Sequence, residues 1–157
     1  MNIVPSYSPT MGCQRCLACP HIRGLLEDLA LAPLKKRVLC IDDDLVELSM
    51  RSAILQSDGY DVSSANSGRS GLKMMVEDKF DVVLLDFCMP DMDGLQVASE
   101  ARRLEVRSPI LIVSGRDTDE LPEQVFELTD GFIQKGAPPL LLLDRVRELT
   151  GRERVLN

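Results

Sequence analysis

The stretch from Val82 to Gly94, VVLLDFCMPDMDG, constrains the fold of this chain more than any other. Its four apolar residues lead directly into Asp86, and a turn at Asp93 then opens an amphipathic segment. A short apolar run bounded by turn residues is typical of a buried strand in a parallel sheet, which puts Asp86 at the carboxyl end of that strand. Because ligands of open α/β sheets bind at that edge, the stretch predicts both a fold class and the place of a functional site.

The rest of the chain repeats this strand pattern. From residue 36 onward, short apolar runs alternate with segments of helical periodicity. The alternation indicates βα units and predicts an α/β domain with a doubly wound, five-stranded parallel sheet, (βα)5. The predicted strands are 37–41, 60–65, 81–85, 109–113 and 131–134, and the predicted helices run from Asp44 to about Ser57, from Asn66 or Ser67 through Val76, from Gly94 through Ala101, over 121–128, and from Pro139 through Leu149.

Apolar residues at helical spacing indicate which face of each helix packs on the sheet. At 157 residues the chain is long enough for one domain with its own core and too short for two full ones. The residues assigned to the core faces are Leu45, Leu48 and Leu55 in the first helix, Leu72, Met75 and Val76 in the second, Val97, Ala98 and Ala101 in the third, and Leu142, Val146 and Leu149 in the last.

The two ends of the chain differ from this regular pattern. Residues 1–35 carry prolines, scattered serines and the cluster CQRCLACPH, and we predict a disordered N-terminal tail there, one domain over 36–150 and a C-terminal tail over 151–157. Cysteines with this spacing can bind Zn²⁺ or form part of an iron–sulfur ligand set, so a structural metal site and a redox sensor are alternatives. A further alternative is that translation starts at Met11 or later and leaves this stretch out. The tail residues concerned are Cys13, Cys16, Cys19 and His21.

Composition excludes several classes of function. The net charge of −7 and the lack of a Lys/Arg cluster argue against a nucleic-acid-binding surface. No apolar run approaches the ~18 residues that cross a bilayer, and no signal peptide is recognisable, so we expect no membrane segment and a cytoplasmic protein. The odd count of five cysteines predicts no disulfide framework.

Polar side chains are predicted to meet at one edge of the sheet, because right-handed crossovers make all five strands end there. Clustered carboxylates repel one another unless a cation lies between them, and a few oxygen ligands suit Mg²⁺. A hydroxyl and an ammonium nearby suit a phosphoryl group, and an aspartate can itself form an aspartyl phosphate. The residues expected at this edge are Asp42, Asp43, Asp44, Asp86, Ser114 and Lys135.

Four segments together resemble the receiver domain of bacterial two-component response regulators. They are 38–44, VLCIDDD; 84–94, LLDFCMPDMDG; 109–115, PILIVSG; and 131–135, GFIQK. The resemblance covers residues 36–150 and implies the flavodoxin-like fold of the family's chemotaxis receiver, with strand order 2-1-3-4-5.

The resemblance also implies a phosphoryl-transfer site. Asp86 matches the phosphoacceptor, which takes a phosphoryl group from a sensor histidine kinase or a histidine phosphotransfer protein. Asp42 and Asp43 match the acidic pair that binds Mg²⁺ as cofactor, together with Asp86 and the backbone carbonyl of Cys88.

Three further residues match the family's activation machinery. Lys135 corresponds to the lysine that pairs with a phosphoryl oxygen, Ser114 to the hydroxyl that hydrogen-bonds another oxygen, and Phe132 to the aromatic switch residue that turns inward. The chain departs from the family at Gly136, where a proline, often after a cis bond, is usual.

The implied function is phosphorelay signalling, not turnover of a separate substrate. Because few residues follow 150, we expect a stand-alone receiver that acts by phosphorylation-dependent contact with a downstream effector protein. Leu140 and Leu141 on the last helix are suited to a phosphorylation-dependent homodimer.

Two alternative functions remain open at this point. A haloacid-dehalogenase-like phosphatase would use Asp42 as nucleophile and Asp44 as acid/base, but that family needs a further acidic motif after the lysine strand and leaves DFCMPDMDG unexplained. An adaptor that is never phosphorylated would not need the intact acceptor, acidic pair, hydroxyl and lysine.

Overall fold

The computed structural model describes residues 35–151. The predictions for the N-terminal tail, including the possible metal ligands Cys13, Cys16, Cys19 and His21, lie outside the described residues, as does all but the first residue of the predicted C-terminal tail. The strands are β1 (Arg37–Ile41), β2 (Asp61–Ala65), β3 (Val82–Asp86), β4 (Ile110–Ser114) and β5 (Gly131–Gln134), and the helices are α1 (Leu45–Ser57), α2 (Gly68–Glu77), α3 (Gly94–Arg103), α4 (Glu123–Leu128) and α5 (Pro139–Thr150).

The five strands form one parallel sheet in the order β2-β1-β3-β4-β5. Alternate residues of the central strands enter two different apolar cores, since successive side chains of a strand point to opposite faces. Leu39, Val83 and Ile112 pack with α2, α3 and α4 on one face. Cys40 and Leu84 pack with α1 and α5 on the other. The predicted doubly wound fold and the strand order that the resemblance implied are both confirmed.

Most element boundaries agree with the predictions to within one or two residues. Strand β2 begins at Asp61. Strand β3 extends to include Asp86, and β4 extends to include Ser114. Helix α4 begins at Glu123, after a separate 3₁₀ turn over Thr118–Glu120 that the sequence pattern did not predict.

Two residues assigned to the core faces are in fact exposed. Leu45 is 63% exposed because the buried residues of α1 are Leu48, Arg51 and Leu55, and Leu45 in the first turn lies to one side of the line that they form along the helix. Val76 is 53% exposed because it directly follows the buried Met75, and one residue turns the side chain about 100° around a helix. Both assignments were wrong because three apolar residues at helical spacing indicate a broad side of the helix. They do not determine which of these side chains lies closest to the sheet.

Side-chain caps begin the helices α1, α2 and α3. The Asp44 carboxylate accepts hydrogen bonds from the N–H groups of Val46 and Glu47 at the start of α1. Asp93 and Gln96 form a reciprocal capping box at the start of α3. These caps satisfy backbone donors that have no partner inside the helix, and they fix the loops at the carboxyl edge of the sheet. Among residues 35–151, no helix is both long and apolar enough to cross a membrane.

The loop after β3 returns so closely to its own strand that one position requires glycine. A Cβ atom on Gly94 would lie 2.8 Å from the carbonyl oxygen of Asp86 and 2.9 Å from the Cα atom of Phe87. The Gly94 N–H donates a hydrogen bond to the Phe87 carbonyl at 2.9 Å, which keeps the two segments together. The conformation that holds Asp86 in place therefore depends on the missing side chain.

We predict that Gly94→Ala lowers the free energy of unfolding by about 1–3 kcal/mol, because the added methyl group meets rigid backbone. Urea denaturation of the full chain measures the change. Gly115→Ala is the matched control, since no atom lies within 4 Å of its added Cβ. An equal loss of stability in both variants would contradict the steric explanation.

Candidate functional site

Three carboxylates converge at the carboxyl edge of the sheet. Asp42 directly follows β1, Asp86 ends β3, and the two strands are hydrogen-bonded neighbours in which Ile41 pairs with Leu85. One carboxylate oxygen each from Asp42, Asp43 and Asp86 lies within 4.8 Å of the other two. Asp42 and Asp86 are buried, whereas Asp43 is exposed. The structure thus brings together the three acidic residues predicted from the sequence.

Lys135 lies between the two buried carboxylates. Its Nζ atom is 3.0 Å from Asp42 Oδ2 and 3.1 Å from Asp86 Oδ1. The residue follows β5, and its backbone N–H donates to the Ser114 carbonyl at 2.7 Å, which fixes the base of the side chain. Burial alone would lower the pKa of Lys135, but the adjacent Asp42 and Asp86 outweigh it and raise the pKa. The side chain is therefore an ammonium at neutral pH.

Asp42 is fully buried and has partners at both oxygens. Oδ1 accepts a hydrogen bond from the Asp44 N–H at 2.8 Å, and Oδ2 contacts the Nη2 atom of Arg51 as well as Lys135. Burial would raise the pKa of Asp42, but Arg51, the Asp44 N–H and Lys135 together lower it below its ordinary value. Asp42 is therefore held as a carboxylate.

Arg51 is the site residue that sequence reasoning missed. Its side chain is only 6% exposed, and its Nη2 atom also lies 3.5 Å from Glu47 Oε2. A signal was present in the sequence, because residue 51 falls between Leu48 and Leu55 on the buried stripe of α1. A cation on a core-facing stripe needs a buried partner, and Asp42 is that partner.

Asp86 has the opposite electrostatic character. Burial and the negative charge of Asp42 raise its pKa, and Lys135 only partly opposes this. The Oδ1 atom is buried, and its 3.1 Å contact with the Lys135 ammonium is an ion pair rather than a well-directed hydrogen bond. An unsatisfied buried oxygen of this kind is suited to a reacting atom or an incoming ligand.

The carboxylate cluster fits a small divalent cation. Asp42, Asp43 and Asp86 offer three hard oxygen donors from one shared space, which is the ligand type that Mg²⁺ prefers. The unsatisfied Asp86 Oδ1 supplies a buried donor for it. Cys88 is exposed and its thiol is free. The assignment of its backbone carbonyl as a metal ligand stays a prediction.

The other predicted site residues surround this cluster. Ser114 is fully buried at the end of β4, where its hydroxyl accepts a hydrogen bond from the Arg116 N–H at 3.0 Å. Phe132 is half-buried against the core beneath α3 and α4. Gly136 has a φ of 84°, which favours glycine, and no cis peptide bond occurs within residues 35–151. The loop after Lys135 therefore turns through glycine where the family usually has proline.

Comparisons with known proteins agree with this arrangement. A family model described as the response regulator receiver domain matches residues 38–147. The response regulator MprA of Mycobacterium leprae is 37% identical over 120 residues, which cover 74% of this chain and 51% of that protein. The transcriptional regulatory protein PhoP of Bacillus subtilis is 28% identical over 123 residues, which cover 78% of this chain and 51% of that protein. The chain spans about half the length of these curated relatives.

Solved structures show the same fold. A receiver domain protein from Methanospirillum hungatei is 29% identical, with a TM-score of 0.70 over 75% of this chain and 96% of that one. The response regulator TrrA of Thermotoga maritima, solved in complex with Mg²⁺ and BeF, is 27% identical, with a TM-score of 0.68 over 73% of this chain and 98% of that one.

We predict that Asp86→Asn raises the free energy of unfolding at pH 7 by about 1–2 kcal/mol. The pKa of Asp86 is higher in the folded than in the unfolded protein, so the folded state binds the proton more tightly. Its contribution to stability therefore falls as the pH rises above the unfolded pKa of about 3.9, and the variant avoids this loss.

Urea denaturation between about pH 4 and pH 8 tests this, because the advantage of the variant should grow with pH from the unfolded pKa upward. Asp119→Asn, at an exposed position, should show no such trend. A wild type that is more stable than Asp86→Asn at pH 7 would contradict the electrostatic account.

Proposed function

This chain belongs to the response regulator receiver family, and we propose that it accepts a phosphoryl group on Asp86 from a phosphohistidine and signals through protein contact. Receiver domains are signalling modules and not enzymes that turn over a separate substrate. The observation that carries the proposal is the buried Asp86 carboxylate with an unsatisfied oxygen, placed beside Lys135 and two further carboxylates.

The chemistry assigned to Asp86 is a single group transfer. A carboxylate oxygen attacks phosphorus, an O–P bond forms, and the P–N bond of the phosphohistidine breaks with its electron pair going to the imidazole nitrogen. Lys135, now shared between Asp42 and Asp86, moves its charge toward a phosphoryl oxygen.

Magnesium belongs to the proposal as cofactor. Asp42, Asp43, Asp86 and the carbonyl of Cys88 would hold Mg²⁺, which neutralises charge on the phosphoryl oxygens when bound. The charges already present support this, because three clustered carboxylates outnumber the two cations, Lys135 and Arg51, before a doubly charged phosphoryl group arrives. Without a further cation, the growing negative charge would oppose transfer.

The readout is assigned to β4 and β5. The Ser114 hydroxyl, which accepts a hydrogen bond from the Arg116 N–H, would donate its own proton to a phosphoryl oxygen, and the half-buried Phe132 would then turn inward. Phe132 carries no hydroxyl, so this switch rests on packing alone. The surface formed by β5 and α5 would thereby change its contact with a downstream effector protein.

A phosphate donor would dock beside α1. Leu45, Val46 and Met50 are 63%, 66% and 51% exposed in the first turns of this helix, next to the acidic cluster. Exposed apolar side chains at the rim of a charged site are typical of a protein contact, and we assign them to a sensor histidine kinase or a histidine phosphotransfer protein. A cytoplasmic location is part of the same proposal and rests on the family.

The two alternative functions fit the site less well. As a phosphatase nucleophile Asp42 would need a free oxygen, but both of its oxygens are engaged and Asp44 is occupied as a helix cap. An adaptor that is never phosphorylated would gain nothing from the buried, destabilised Asp86 carboxylate. The stand-alone action of the chain, without contact to nucleic acid, stays a prediction. The chain spans about half the length of its curated relatives, and one of them is named a transcriptional regulatory protein.

We predict that acetyl phosphate with Mg²⁺ adds one phosphoryl group to the full chain, detected by intact-protein mass spectrometry. The adduct should require Mg²⁺, be absent in Asp86→Asn, and persist in the control Asp119→Asn, whose side chain is exposed. No adduct on any of these proteins would favour the adaptor. Turnover that survives Asp86→Asn but stops in Asp42→Asn would favour the phosphatase.

We also predict that the phosphorylated protein forms a homodimer through α5, where Leu140 and Leu141 are 69% and 46% exposed. Gel filtration with Mg²⁺ and beryllofluoride should show a shift to twice the monomer mass, and Leu140→Ser should abolish it. A wild type that stays monomeric under these conditions would rule out this contact.

A further inference from the structure

Arg51 occupies a position that the proposed chemistry does not explain. It lies on the buried stripe of α1, and its side chain is 6% exposed. Its Nη2 atom contacts Asp42 Oδ2, the same oxygen that Lys135 approaches at 3.0 Å. Asp42 is therefore the only one of the three clustered carboxylates that contacts two cations within the described part of the chain.

This second cation changes the charge that the site offers to a metal. Lys135 and Arg51 together neutralise two of the three carboxylates, so the cluster attracts a divalent ion less strongly than it would with the lysine alone. Asp42 Oδ1 is also engaged, by the Asp44 N–H. Both cations lie against Oδ2, so this oxygen can turn fully toward a metal only if one of them withdraws.

Arg51 has an acidic partner outside the carboxylate cluster, whereas Lys135, among residues 35–151, is paired only with carboxylates of the cluster. Glu47, one helical turn earlier on α1, has its Oε2 atom 3.5 Å from Arg51 Nη2 and is one-third exposed. The Nη1 atom of Arg51 is buried and has no hydrogen-bond partner among residues 35–151, so the guanidinium is not fixed by a full set of acceptors. Lys135, in contrast, is held by the second buried carboxylate, Asp86.

We propose that Arg51 is a positioning residue that competes with Mg²⁺ for Asp42 and shifts toward Glu47 when the metal binds. The inference rests on the proposed Mg²⁺-dependent function. Its consequence is a receiver with weak metal affinity, so that the Mg²⁺ concentration sets how much of the protein is competent for phosphoryl transfer.

Isothermal titration of the full chain with Mg²⁺ tests the competition directly. Arg51→Met, which keeps the length and apolar stem of the side chain, should bind Mg²⁺ more tightly by on the order of tenfold, as expected from removal of one unit charge next to a metal ligand. Arg51→Lys retains the charge and should stay within about threefold of the wild type.

Arg147→Met is the matched control. Arg147 is also a partly buried arginine paired with an aspartate, Asp58, but this pair joins α5 to the end of α1 at the opposite edge of the sheet. Its removal should leave the Mg²⁺ affinity unchanged. An equal gain in affinity in both Met variants would overturn the specific role of Arg51, as would an unchanged or weaker affinity in Arg51→Met.

Acetyl phosphate labelling of the same proteins at saturating Mg²⁺ distinguishes a failure of the Arg51 competition from a failure of the proposed receiver function. Labelling of all of them with equal Mg²⁺ affinities would reject the competition and leave the receiver function intact. Loss of both labelling and Mg²⁺ binding in every protein, the wild type included, would reject both.

A second measurement does not depend on the stability of Arg51→Met. The Nε–H resonance of Arg51, identified as the arginine signal missing from Arg51→Lys, should move when Mg²⁺ saturates the wild-type protein. A resonance that stays in place while the metal binds would overturn the proposed shift toward Glu47.

Discussion

The site depends on a balance between three clustered carboxylates and the two cations that hold them together. Asp42 and Asp86 are both buried at the ends of adjacent strands, where two ionised groups would repel each other strongly. The Lys135 ammonium between them makes the arrangement possible, at 3.0 and 3.1 Å. These residues come from β1, β3 and β5, and the parallel sheet assembles them because it ends all three strands at one edge.

The same balance of charges shifts the pKa values of the two buried aspartates in opposite directions. Asp42 has an amide and two cations at its oxygens, so its pKa is lowered and it stays ionised. Asp86 is buried with an unsatisfied oxygen and faces the charge of Asp42, so its pKa is raised. An incompletely paired carboxylate beside an ammonium is suited to accept a phosphoryl group, whereas a fully paired one is not.

The sequence predicted the parts of this site that lie next to strand ends. Asp86 directly follows a short apolar run and Lys135 follows one after a single residue, Gln134, and such runs locate strand ends to within one or two residues. The strand order could not be derived from local pattern and came from the resemblance to receiver domains. The exposed Leu45 and Val76 were assigned wrongly, because helical spacing fixes a stripe but not which of its edges faces the sheet.

Arg51 shows a different limit of sequence reasoning. A charged residue on a helix is ordinarily assigned to the solvent face, and only the three-dimensional fold shows that α1 directs this one toward Asp42, nine residues earlier. The pairing is a long-range consequence of packing α1 on β1. Its signal is a cation between Leu48 and Leu55, two residues already assigned to the core face, but the spacing does not identify the partner, Asp42.

In the proposed function Asp86, and not Asp42, carries the phosphoryl group. Reduction of the labelled wild-type protein with borohydride converts an aspartyl phosphate to homoserine, and peptide mass spectrometry then locates the converted residue without any mutation. We expect homoserine at position 86 alone. Homoserine at position 42, or at no position in a protein that carries a phosphate, would contradict it.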